Sequence, residues 1–385
     1  MVPDARVLIT KFPYYSRLAG PEMHTLKLVE SLQKEGVDFH LMSSDPALIA
    51  EFNKNGWGVT QWWLGYSPVN RVSKILFFLL WPFYWVSGLI GVIYCMKKFK
   101  VNKMYCLTLG DKLILTSIGK LLGMKVVWSE QLSLDPVILK SIYRVFYKFW
   151  SKFCQKVVVS SVFLACQLAE IKITKNVQVI YSGVEMKNYK QSDMFEIMAN
   201  KRFSFGSSGD VYRIGCVSRL EKMRGLEYLI KAMNFLKDEY HDVDLVIVGE
   251  GSQRKRLQWL IDHYELSDSV KLVGYQEKFV DWIYDFDVFV LPSLEEAFGH
   301  VVIEALACVK PVVVSRVGGL MEIVEDGKTG LFVEPKNSRA IAGAIYSIKN
   351  DKKLAKDLAE NGREVVLRKY GMEKMVREYR KLFLG

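Results

Sequence analysis

Only five of the 385 residues are histidines, and none lies between His40 and His241. That stretch lacks the side chain most often used as a general base or zinc ligand near neutral pH. The six cysteines (Cys95, Cys106, Cys154, Cys166, Cys216 and Cys308) form no CxxC pair and no cluster with histidine. Such scatter excludes a disulfide framework and a zinc-finger site, and reads as reduced, structural thiols in a cytosolic compartment. Acidic residues are missing altogether from Phe52 to Gly110. The N-terminus runs directly into a strand-like RVLIT, so no signal peptide is expected ahead of the fold.

Against these absences stands an ordinary globular composition, half hydrophobic and a quarter charged. The length favours two domains over one core. A net charge of +11, with a pI of about 9.1, points to an anionic partner: nucleic acid, a phosphorylated substrate or acidic lipid. Apolar strand candidates alternate with helical patterns at 6–10, 37–42, 101–107, 125–128, 156–160, 177–180, 213–217, 244–248, 270–273, 288–291 and 311–315. Alternation of this kind implies parallel sheets with crossover helices. Residues 191–210 read as a linker between a first domain, 1–190, and a second, 211–368. A last helix within 369–385 follows a Tyr370-Gly371 break and is expected to cross back to the first domain. Two doubly wound sheets in tandem would hold a ligand in a cleft beyond the carboxyl ends of their strands.

Residues 75–96 (ILFFLLWPFYWVSGLIGVIYCM) form a run of 22 without a charge, long enough to be scored as a membrane span. A single crossing would put 1–74 and 97–385 on opposite sides and split the first sheet. Pro82, Ser87, Gly88 and Gly91 suggest a broken helix or shallow hairpin instead, the alternative being a buried crossover helix. The neighbourhood is basic (Lys54, Arg71, Lys74, Lys97, Lys98, Lys100 and Lys103) and holds Trp57, Trp62, Trp63, Trp81 and Trp85. Further on, SIYRVFYKFWSKFCQK spaces Arg144, Lys148, Lys152 and Lys156 by four, beside apolar Ile142, Phe146, Phe149 and Phe153. Segment 71–103 is therefore expected to rest on an anionic membrane surface, with the chain peripheral at the inner face of the cytoplasmic membrane.

Four stretches could carry chemistry. Gly20-Pro21-Glu22 opens a helical pattern after the first strand, and a glycine at such a turn lets backbone N–H groups face an anion. The loop VSRLEKMRG at 217–225 supplies Arg219, Lys222 and Arg224 after another strand, cations suited to a diphosphate. Gly249-Glu250-Gly251 resembles part of a nucleotide-binding turn, although a lone GxG is weak. In PSLEEAFGHVVIEALA (292–307), Glu296 is expected in a loop, Glu304 within a helix and Glu295 in solvent. Even on one continuous helix, positions eight apart would be separated by about 80° and about 12 Å. They form no acid–base dyad, but two such carboxylates can grip different hydroxyls of one extended ligand.

In order, GCVSRLEKMRGLEYLIKAM, DLVIVGEGSQRKRL, VKLVGYQE, DVFVLPSLEEAFGHVVIEALA and KPVVVSRVGGLMEIVEDGKTGLFVEP resemble the donor-binding domain of family-4 retaining glycosyltransferases, glycosyl transferases of group 1. The first half is similar more loosely, through GPEMHTLKLVESLQKEG and VIYSGVEMKNY. The resemblance implies an α/β chain of the GT-B fold, two Rossmann-like doubly wound parallel-sheet domains facing a central cleft. It implies a nucleotide-sugar donor (a UDP- or GDP-sugar) on the second domain and a lipid-linked or glycan acceptor on the first. No cofactor and no metal are implied beyond the donor as co-substrate. Arg219 and Arg224 would neutralise the leaving diphosphate, with Lys222 the nearby alternative to Arg224. Glu296 would lie by the donor sugar and Glu304 on the ribose hydroxyls. Phe298, Gly299, His300 and Val301 would run along the phosphates, and Gly20 would approach the diphosphate from the other domain. Gly249 would belong to the nucleotide-binding turn, and Gly274, Tyr275 and Gln276 would face the base.

Departures from the pattern are specific. Arg224 stands where the family usually has lysine, Val309 where glycine is common, and Gly20-Pro21 where a glycine pair is usual. A histidine often follows the strand at 125–128, where this chain reads Ser129-Glu130-Gln131; Glu130 is the candidate for that place, the alternative being a helix-start carboxylate. A glycoside hydrolase would leave the basic loop without a purpose. Nucleic acid is not expected as a partner, because no base-reading motif accompanies the charge. The alternative to an enzyme is a non-catalytic GT-B scaffold or glycan-binding protein.

Overall fold

Valine-, isoleucine- and leucine-rich runs that are buried on both faces favour parallel strands covered by helices, and the chain builds two such sheets. The structure is a computed structural model that describes residues 5–12, 20–65, 67–68, 71–134, 143–189, 211–237, 239–240 and 242–385. The linker expected at 191–210 and Ile142 lie outside these residues. By internal contacts the chain divides into unit 1, Met1–Ser182 with Lys374–Gly385, and unit 2, Gly183–Glu373.

Unit 1 contains β1 (Ala5–Lys11), β2 (Val37–Ser43), β3 (Gly58–Gln61), β4 (Lys103–Cys106), β5 (Lys125–Glu130), β6 (Lys156–Val159) and β7 (Val177–Val179). They form one parallel sheet in the order β3-β2-β1-β4-β5-β6-β7. Unit 2 contains β8 (Tyr212–Val217), β9 (Val243–Val248), β10 (Val270–Gly274), β11 (Val288–Leu291), β12 (Val312–Ser315) and β13 (Leu331–Val333). Their order is β10-β9-β8-β11-β12-β13, again all parallel. Each sheet reverses its winding once, between β1 and β4 and between β8 and β11. Beyond the carboxyl ends at such a reversal the loops on either side part and leave a crevice.

Three features differ from the sequence reading. Strands β3 and β13 were not expected, because β3 is an edge strand with no fully buried residue and β13 spans only three residues. The strand expected at 101–107 is limited to Lys103–Cys106. Unit 1 ends at Ser182 and not at 190, because the segment after it is bound into unit 2. There the Val184 N–H donates to Tyr370 O (2.8 Å) and the Met372 N–H to Val184 O (3.0 Å). Arg363 donates to Tyr189 O at 3.0 Å in the same unit. The last helix, Met372–Leu384, runs into unit 1, where Tyr379 and Phe383 pack on Tyr105 and Lys103 donates to the Phe383 carbonyl.

The apolar run is a broken helix, and the break falls at Leu80, ahead of Pro82, Ser87, Gly88 and Gly91. Helices Arg71–Leu79 and Trp81–Phe99 meet at a bend of 72°. Pro82 falls in the first turn of the second helix, where a missing N–H costs no hydrogen bond. Among the described residues no single helix is long and apolar enough to cross a membrane.

Candidate functional site

At the reversal of the second sheet, the loop after β8 is tied on both sides to other strand-end loops. Ser218 N donates to Val248 O (2.9 Å), Leu220 N to Glu250 O (2.9 Å) and Gln253 N to Leu220 O (2.8 Å). The Ser252 hydroxyl donates to Glu221 at 2.6 Å. Gly249, at φ +142°, gives its N–H to Gly274 O at 2.8 Å, which joins the ends of β9 and β10. Beyond it Tyr275 is exposed, and the Gln276 amide donates to Val273 O at 3.2 Å. Loops at three strand ends are therefore tied together. Close approach explains a glycine at 225: at φ +63°, a Cβ there would stand 2.1 Å from the Pro292 carbonyl oxygen.

That approach sets the short 3₁₀ helix Lys222–Arg224 against the loop after β11, and the Leu294 N–H donates to Met223 O at 2.8 Å. As a result the Arg224 guanidinium forms an ion pair with Glu296, both largely buried. Burial pushes the Glu296 carboxyl above its ordinary pKa, and the positive charges of Arg224 and Arg219 only partly offset it. Arg219 itself is exposed. Lys222 faces elsewhere, onto a concavity of about 330 Å³ lined also by Glu221, Glu227, Gln253 and Arg256. The structure thus separates the two candidates for the second cation: Arg224 stands with Glu296, and Lys222 does not.

Glu296 lies in the loop and Glu304 inside the helix His300–Ala307. Gly299 precedes that helix at φ +110°, where a Cβ would stand 2.5 Å from Leu320 Cδ2. Phe298 is buried with its ring edge-on to His300 and near Tyr370. The first turn, with His300 and Val301, points its N–H groups toward the loop end, the arrangement in which helices receive anions. Glu304 is 7 % exposed, and its carboxylate lies near the buried Tyr189 hydroxyl. Burial, then the Glu304 charge, raises the Tyr189 pKa, so the hydroxyl stays protonated. Sequence reasoning missed Tyr189 in this part, although it ends the quoted VIYSGVEMKNY. Val309 follows the helix cap in the left-handed region, at φ +56°, which is why glycine suits that place.

Unit 1 holds the other two candidates. Gly20 is exposed at the start of helix Gly20–Gln33. Glu130 ends β5 and is 8 % exposed. Lys112 Nζ donates to it at 2.6 Å and the Tyr147 hydroxyl donates to the same oxygen. Neither partner was anticipated, since each lies far from Glu130 in sequence.

Comparison with known proteins places these loops in a family. A family model described as glycosyl transferases group 1 matches residues 198–365. These residues are a group 1 glycosyl transferase domain. The group 1 domain contains Arg219, Arg224, Glu296 and Glu304, whereas Gly20 and Glu130 lie outside it. Two relatives are uncharacterized glycosyltransferases of Methanocaldococcus jannaschii. MJ1607 is 33% identical over 62% of this chain and 62% of its own length. MJ1178 is 28% identical over 96% of this chain and 95% of its own length. The chain therefore spans under two thirds of the first relative and nearly all of the second. Among solved structures, Anabaena Alr3699/HepE in complex with UDP and glucose superposes with a TM-score of 0.80 at 18% identity, covering 98% of each chain. At that identity the likeness speaks for the fold, and the chain has the GT-B fold.

Proposed function

We propose that this chain is a retaining, metal-independent glycosyltransferase. It moves a sugar from a UDP- or GDP-sugar to a lipid- or membrane-linked glycan in cell-envelope polysaccharide or glycolipid synthesis, at the inner face of the cytoplasmic membrane. The observation that carries this reading is the exposed Arg219 beside the Arg224–Glu296 pair, at the winding reversal of a group 1 domain. A UDP complex in a protein of the same fold supports a nucleotide-sugar donor.

In the proposed reaction the bond from the anomeric carbon to the diphosphate oxygen breaks, and a bond to the acceptor oxygen forms on the same face. The acceptor proton passes to a phosphate oxygen of the leaving group, so no strong base is required. Negative charge grows on the diphosphate as the sugar gains oxocarbenium character. Arg219 meets that charge directly, with Arg224 behind it and the N-terminus of helix His300–Ala307 alongside. Since Arg224 is engaged by Glu296, Arg219 is the more available cation. Glu296 lies by the donor sugar, and the buried Glu304 takes the ribose hydroxyls.

A panel of labelled UDP-, GDP- and ADP-sugars, incubated with the protein and a lipid extract, tests the reading. Transfer to the lipid fraction with the donor's anomeric configuration retained is expected. A protein that binds and consumes none of the donors is the non-catalytic scaffold instead.

A further inference from the structure

The bent helix pair at 71–99 is seated in unit 1 by a glycine face. A Cβ at Gly88 would stand 2.7 Å from Leu115 Cδ2, and one at Gly91 would stand 2.8 Å from Trp62 Nε1. The helix Trp81–Phe99 therefore lies close against its own domain, with Tyr84, Val92 and Cys95 buried on the same side. Its other side is the surprise. Phe83, Val86, Ile90 and Tyr94 are all exposed and fall within an arc of about 80° on the helix. The preceding helix adds Ile75, Leu76 and Leu79, with Leu79 71 % and Phe83 64 % exposed. A crossover helix of a soluble domain turns polar residues outward, and this one turns hydrocarbon outward.

A third helix, Tyr143–Ser151, extends the same face. Phe78 packs on Tyr143 and Phe146, Trp81 packs on Phe146, and the Tyr143 hydroxyl donates to Lys74 O at 2.9 Å. On it Val145 and Phe149 are exposed, followed by Phe153 just beyond its end. The charges around this apolar area are of one sign. Lys97 and Lys98 end the second helix, Arg144 and Lys148 line the third, and Lys152 follows its end. No carboxylate occurs from Phe52 to Gly110 or within 143–151.

We propose that this three-helix face is a docking surface for an anionic lipid bilayer, in which the bent pair lies in the plane of the interface without crossing it. The bend of 72° and the length of each helix oppose a span. The glycine face fixes the depth, since only the opposite stripe is free to enter the acyl boundary, with the cations at headgroup level. Charge selects lipid over a second copy of the chain, because a symmetric contact would bring these cations together with no carboxylate between them. This inference does not depend on the proposed reaction.

Co-flotation of the full chain with vesicles of phosphatidylcholine, with and without phosphatidylglycerol, tests it. Binding to the anionic vesicles that weakens with salt is expected. Leu79→Glu combined with Phe83→Glu should lower binding about tenfold or more at an unchanged melting temperature. Lys97→Glu combined with Lys152→Glu should remove the preference for anionic lipid. Absence of flotation, equal flotation with neutral vesicles, or an undiminished Leu79→Glu/Phe83→Glu variant would each overturn the proposal. So would a dimer in sedimentation velocity that this variant converts to monomer.

Discussion

The two sheets share the order 3-2-1-4-5-6 around their reversals, yet they use the charged groups at their strand ends in opposite ways. In unit 1 these cations are turned inward. Lys11, 2 % exposed, lies 2.9 Å from Glu22 and 3.1 Å from Asp45, and Lys112 is spent on Glu130. Burial alone would depress the Lys11 ammonium, but the two carboxylates outweigh it and hold its pKa above the ordinary lysine value. In unit 2 the strand ends are glycine loops with Arg219 left open to solvent. Equal topology thus gives one edge whose Lys11 and Lys112 are sealed in ion pairs and one that pairs Arg224 with Glu296 yet leaves Arg219 open to solvent.

Four substitutions sharpen or break that contrast. Glu130→Ala strands a buried ammonium and should cost about 3–5 kcal/mol of stability in chemical denaturation, with turnover of the folded fraction nearly unchanged. Lost turnover at full stability would instead make Glu130 a catalytic group. Arg219→Ala should do the reverse, lowering kcat/KM about 10²–10³-fold with the melting curve unmoved. Intact turnover would move the diphosphate site away from this loop. Tyr189→Phe removes the hydroxyl near Glu304 and should raise the donor KM about tenfold, about 1.5 kcal/mol, with kcat little changed. The smallest effect is expected at Val309→Gly, which relieves a left-handed β-branched residue and should stabilise the protein by about 1 kcal/mol. A destabilised glycine variant would contradict that account of the cap.

Much of unit 2 was legible because its signals are contiguous. The cations of 217–225 sit three and two positions apart, and the turn glycines directly follow their strands. Pairs made across the fold were not legible. Tyr189 reaches Glu304 and Tyr147 reaches Glu130 through tertiary packing that no local spacing encodes. The unit boundary at Ser182 was hidden for the same reason, since backbone bonds between Val184 and Tyr370 and Met372 set it. Short or edge strands such as β3 and β13 carry too few buried residues to show a period. The break in the apolar run was anticipated, but proline marked the start of the second helix and not the bend.

Hydrogen exchange of the full chain, with and without UDP, GDP and ADP in turn, addresses the central contrast most directly. The account predicts that one of these nucleotides protects 218–225, 249–253 and 292–304 well above any change at 125–130. Protection concentrated at 125–130, or none in unit 2 with any of the three, would contradict it.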